Sequence, residues 1–83
     1  MIVLDKIESN RNLLESKGDY VWFKTTSSPN RIKKHECWEI INVNPDDNVI
    51  YLKKVGRKIM TEKPLNLVVE NCLLIKRNEL NLL

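Results

Sequence analysis

ECWEIINVNPDDNVIYLKKVGRKIMTE, residues 36–62, holds two apolar, β-rich segments on either side of Asn44-Pro45-Asp46-Asp47-Asn48, with a second turn at Gly56-Arg57. Pro45 presets the backbone angle of the second turn position, and the flanking Asn and Asp side chains bond local amides, so residues 44–48 close a hairpin. In the strand before it, 36–43, Trp38 and Ile40 lie on one face while Ile41 and Val43 lie on the other. Either a bulge or burial on both faces accounts for that slip of phase. The strand after it spans 49–55. Gly56-Arg57 suits a two-residue type II′ connection, in which glycine takes the positive φ that other residues avoid. A strand at 58–63 follows directly, and the stretch reads as a β-meander.

Upstream, residues 19–26 (DYVWFKTT) are rich in aromatic and β-branched types that fit a pleated, half-buried surface. Val21, Phe23 and Thr25 share one face of this strand, and Tyr20, Trp22 and Lys24 the other. Residues 27–31, with Pro29 among small polar residues, form a loop. At the N-terminus Leu4, Ile7, Leu13 and Leu14 roughly follow helical spacing and Gly18 is placed as a helix stop. A short helix at 10–17 is expected, although Ser9-Asn10-Arg11-Asn12 is a poor helix interior. Residues 2–7 are either helical or an added edge strand. Downstream, Pro64 breaks the meander, 65–69 continues in extended or single-turn form, and 72–76 makes a last strand. The tail, 78–83, is apolar enough through Leu80, Leu82 and Leu83 to dock on the domain or on a partner.

A chain of 83 residues, 42% hydrophobic and 30% charged, makes one globular domain with a modest core. The reading is therefore a single domain, 1–83, with a helix or arm at 1–17, a barrel at 18–77 and a tail at 78–83. It folds alone or as a small homo-oligomer. Its net charge of +3 permits a polyanionic partner without demanding one. Ten asparagines and ten lysines, with no alanine or glutamine, suggest an AT-rich coding genome such as that of a low-GC bacterium, its phage or a mobile element. The opening Met1-Ile2-Val3-Leu4 is cut short by Asp5 and Lys6, so it lacks the form of a signal peptide. No apolar run approaches the roughly 20 residues that span a bilayer. The expected location is cytoplasmic, with no membrane partner, and two cysteines there are expected as free buried thiols.

Closely spaced strands with little helix point to a mainly β domain: a small five-stranded barrel, closed or nearly so, with a short N-terminal helix. The Gly18-Asp19-Tyr20-Val21 opening, the long hairpin, the tight Gly56 turn and the segment 69–75 resemble the SH3-like small barrels of the Tudor, KOW and Sm-like type. The resemblance covers about 60 of the 83 residues. Two departures stand out. Residues 39–52 lack the glycine and asparagine signatures that build the Sm-like RNA pocket. A Tudor-type aromatic cage would have to come from Tyr20, Trp22, Trp38 and Tyr51. What the resemblance implies is a binding module.

The cations fall mainly into two groups: Arg31, Lys33 and Lys34, with His35, in the first long loop, and Lys53, Lys54, Arg57 and Lys58 around Gly56. Brought to one side they would bind phosphates with a steep dependence on salt, with Trp22 and Tyr51 stacking on unpaired bases if exposed nearby. Spread out, they are a solvated rim that blocks edge pairing. His35, Cys37 and Cys72 are one ligand short of a structural zinc site, and no oxyanion hole or orienting acid accompanies them. Asp46 and Asp47 are what a turn requires. With two glycines in all there is no phosphate loop. No metal, cofactor or catalytic residue is expected, and the chain is read as a non-enzymatic regulator or inhibitor. Its partner is a protein met through Trp22, Tyr51, Leu80, Leu82 and Leu83, or alternatively DNA or RNA held by the two basic groups.

Overall fold

The computed structural model describes residues 4–83. Six antiparallel strands form one sheet: β1 (Asp5–Lys6), β2 (Tyr20–Phe23), β3 (Trp38–Asn44), β4 (Val49–Lys54), β5 (Met60–Pro64) and β6 (Cys72–Ile75). Their order is β1-β6-β2-β3-β4-β5. The domain is mainly β, as expected, but a closed five-stranded barrel is not what is observed: β1 adds a sixth strand, and among the described residues β1 and β5 remain unpaired outer edges. Of the two alternatives at the N-terminus the edge strand is seen at Asp5–Lys6, whereas residues 1–3 lie outside the described part.

Two helices interrupt the strands. In α1 (Asn10–Leu14) the polar run that reads as a poor helix interior serves instead as its start. The Asn12 side chain accepts the backbone N–H groups of Glu8 at 2.8 Å and Ser9 at 3.1 Å, which would otherwise be left unpaired there. The helix is shorter than the expected 10–17, and turns carry the chain on to Gly18, whose φ of 92° suits glycine. In α2 (Leu65–Asn71) the expected extended or single-turn form is replaced by a full helix. Leu65 and Val68, three apart, are both buried, so packing of one helical face overrides the strand preference of Val68 and Val69.

The slip of phase in β3 is a bulge. The register with β4 runs from Ile40↔Leu52 to Asn42↔Tyr51, leaving Ile41 unpaired between them. The 44–48 hairpin forms, with Asn48 taking a φ of 54° and the Asn44 amide donating to Asp47 at 3.0 Å. The second turn differs from expectation. It is a five-residue connection between Lys54 and Met60, and Arg57 N–H donates to Lys54 C=O at 3.2 Å. Gly56, with φ 77°, thus occupies the third turn position, as in a type II rather than a type II′ turn. Val55 N–H bonds to Cys37 C=O at 3.1 Å, one step beyond the Trp38↔Lys54 pair, while Lys54 N–H reaches Ile59 C=O at 2.8 Å on the β5 side.

Burial on both sides of β2 and β6 explains their nearly continuous apolar sequences. Val21, Cys72 and Leu74 join the larger core, with Ile40, Ile50, Leu52, Leu65 and Val68. Trp22 and Ile75 join a second core with Ile32, Cys37 and Leu80, against which Leu73 also packs. Alternate residues of a strand point to opposite faces, so these two strands separate two cores. The second core is roofed by the β2–β3 loop and by the C-terminal 3₁₀ turns at Arg77–Leu82. The outward face of β3, β4 and β5 has no such cover: Asn42, Tyr51, Lys53, Met60 and Glu62 are exposed.

Candidate functional site

Antiparallel pairing puts the end of β2, the start of β3, the end of β4 and the start of β5 at one end of the sheet. The two basic segments occur there. Short 3₁₀ turns at Pro29–Arg31 and Lys34–Glu36 shape the first, and between them Ile32 plunges into the second core, where Val55 of the other segment also packs. The Val55–Cys37 hydrogen bond joins the two backbones directly. Residues far apart in sequence are thereby fixed to a common end.

Charge is segregated as a result. Segments 31–39 and 53–58 together carry seven cations against Glu36 and Glu39, an excess of five, whereas the whole chain has +3. The remainder is net negative, with Asp46 and Asp47 in the turn at the opposite end of the meander. Glu36 is also engaged elsewhere: it accepts hydrogen bonds from Ser27 Oγ at 2.7 Å and Trp22 Nε1 at 3.3 Å. The Ser27 hydroxyl, more than the indole, holds its carboxyl below the usual carboxylate range.

Within the basic group the cations are not equivalent. Lys53 is exposed on the outer face and stands opposite Glu39 across the ladder. Lys54 points to the other face, where its Nζ lies 4.6 Å from the centre of the Trp38 ring. That cation–π contact gives Lys54 a structural occupation. Arg31, Lys33, Lys34, His35, Arg57 and Lys58 are all exposed. A shallow cleft of about 400 Å³ runs between Tyr20, Glu39, Lys53 and the Gly56 turn. Burial first, then the Glu39 carboxylate, raises the pKa of the Tyr20 phenol in its wall.

The expected aromatic and leucine contacts are largely corrected. Trp22 is 0% exposed and stands as the centrepiece of the second core, so it offers no ring to a ligand. Its size explains this: a large aromatic in a small domain fills the packing. Leu80 is 6% exposed and Leu83 packs against the same core, so the tail docks on its own domain, leaving Leu82 outward at 61%. Tyr51 alone of the large aromatics presents an exposed ring on the uncovered face, at 36%. Tyr20, Trp22, Trp38 and Tyr51 therefore do not gather into a cage; Trp38 packs on the first core and Trp22 lies in the second.

Cys37 and Cys72 are free thiols buried in different cores. Two exposed apolar residues, Ile59 and Met60 beside Arg57 and Lys58, escape a pattern-based reading. They look like ordinary strand residues in sequence; Met60 stands opposite Lys53 on the uncovered outer face, and Ile59 lies in the connection just before β5. Among the described residues, no helix is long and apolar enough to cross a membrane. Comparison with protein-family models, with curated proteins and with solved structures found no match.

Proposed function

We propose that this chain is a non-enzymatic binding module that holds nucleic acid at the basic end of its sheet. The observation that carries the reading is the excess of five positive charges in two loops tied together by the Val55–Cys37 bond. A polyanion gains most from such a cluster, because each neutralised phosphate releases condensed counterions. The small excess over the whole chain is no objection, since a local field and not the total charge steers a ligand. The strand order β6-β2-β3-β4-β5, with the short helix α2 before β6, supports reading the sheet as an SH3-like barrel extended by β1.

A second reading is a regulator or inhibitor that docks on a protein, as a phage or mobile-element factor would. The exposed Ile59, Met60, Tyr51 and Leu82 favour it, at 50%, 60%, 36% and 61% exposure. Burial of Trp22 and Leu80 removes two of the contacts on which it relied. The two readings part in one experiment: fluorescence anisotropy of labelled single- and double-stranded DNA and RNA across salt concentrations. Nucleic-acid binding predicts complexes at low salt that weaken as salt rises and that Lys53→Ala with Arg57→Ala disrupts. No binding at low salt would sink it and leave a protein partner.

A further inference from the structure

Across the uncovered face, Asn42 of β3, Tyr51 of β4 and Glu62 of β5 are direct cross-strand neighbours in one row. All three are exposed, and among the described residues none of their side chains has a hydrogen-bond or ion-pair partner. A flat aromatic is thus flanked by an uncommitted amide on one side and an uncommitted carboxylate on the other. The next row towards the basic end is Glu39, Lys53 and Met60, with Lys53 two residues from Tyr51 on the same face. On the other side of the row, Tyr51 and Glu62 line a shallow hollow of about 510 Å³, large enough for a nucleobase.

We infer that this row is a reading platform for a single-stranded nucleic acid, with one base stacked on Tyr51 and its edge read by Glu62. The inference rests on the nucleic-acid reading above, and it names which form of nucleic acid is taken. Duplex bases are shielded by their own stacking and pairing, so an exposed ring on a strand face is useful only to an unpaired base. An ionised carboxylate accepts hydrogen bonds and donates none. It repels phosphate and matches a base edge that presents donors, and the Watson–Crick edge of guanine, with N1–H beside N2–H₂, offers two side by side. Glu62, out of place on a phosphate-binding surface, becomes the group that selects the base. The backbone of the strand then runs towards Lys53, Arg57 and Lys58, and the Asn42 amide is free to meet a neighbouring base or sugar.

The test compares a short oligothymidylate, the same oligomer with one central guanine, and a duplex of equal length, with circular dichroism melting to verify that each variant folds. The wild type binds the single strands more tightly than the duplex, and the guanine-containing strand most tightly. Tyr51→Leu, which keeps an apolar strand residue, lowers single-strand affinity roughly tenfold or more while leaving the salt slope unchanged. Tyr51→Phe retains binding, and Glu62→Gln removes the guanine preference. A duplex bound as tightly as the single strands, or a folded Tyr51→Leu variant of unchanged affinity, would overturn the platform. If Lys53→Ala with Arg57→Ala still weakened binding in that case, the basic-end reading would stand alone; absence of binding to all three probes at low salt would remove both.

Discussion

The backbone N–H of Val55 donates to the carbonyl of Cys37 at 3.1 Å, one step beyond the Trp38↔Lys54 pair, and so ties the end of β4 to the chain just before β3. It fastens the Gly56 turn to the basic loop before β3. A feature of backbone pairing thereby sets the charge distribution of the surface.

Gly56 tests the turn itself. Its φ of 77° is a conformation that side-chain-bearing residues avoid, yet a Cβ there would meet nothing within 4 Å. Gly56→Ala should therefore cost only the backbone preference, about 1–2 kcal/mol, and Gly56→Asn less. Urea denaturation of the two variants measures the difference.

Trp22 and Leu82 test the division between core and surface. Trp22 is fully buried, so Trp22→Ala should destabilise the fold by about 3–5 kcal/mol. Leu82→Ala, on an exposed residue, should lie within about 0.5 kcal/mol of the wild type. Leu80→Ala, on a residue 6% exposed, should cost about 2 kcal/mol or more. Equal effects at Leu80 and Leu82 in chemical denaturation would contradict the docked tail.

The thiols predict a pH dependence at the alkaline end. Burial pushes Cys37 up to about 11 and Cys72 up to about 12, from an ordinary value of 9.0. Raised folded values mean that the unfolded chain loses these protons first. Their contribution to stability is complete below about 9 and is lost as pH rises through 11 and then 12. Labelling with a thiol reagent at pH 8 should be slow in the native protein and fast in denaturant; fast native labelling would refute the burial.

Glu36 gives the opposite sign. Hydrogen bonds from Ser27 and Trp22 hold its carboxyl low, so the stability it supplies is present above the ordinary carboxylate range and is lost as pH falls through the lowered value. Glu36→Gln should flatten the acid limb of a stability-versus-pH curve measured by denaturant midpoint. An unchanged acid limb would contradict this.

Much of this was legible in the sequence, for reasons that particular residues make plain. The Asn44–Asn48 hairpin is local stereochemistry, and the β3 bulge shows as the slip between Ile40 and Ile41. The strand at Tyr20–Phe23 is declared by its residue types. Long-range pairing is what stayed hidden. Nothing near Val55 announces that its partner is Cys37, and nothing near Trp22 announces a second core built from Ile32 and Leu80. The charge total of +3 concealed segregation, because a sum carries no positions. The helix at Leu65–Asn71 was obscured by Val68 and Val69, whose strand preference yields to burial of Leu65 and Val68 on one side.

The claim that the two basic loops form one nucleic-acid-binding surface is tested most directly by the salt dependence of binding to a labelled single-stranded oligonucleotide. Lys33→Gln with Lys34→Gln, and separately Arg57→Gln with Lys58→Gln, should each weaken binding and flatten the slope of log K against log salt, by about 0.7 for each phosphate no longer neutralised. Lys6→Gln with Lys17→Gln, both exposed and outside the two loops and the Tyr51 hollow, should leave slope and affinity unchanged. Equal effects of all three pairs, or a wild-type affinity indifferent to salt, would contradict a surface localised at the basic end.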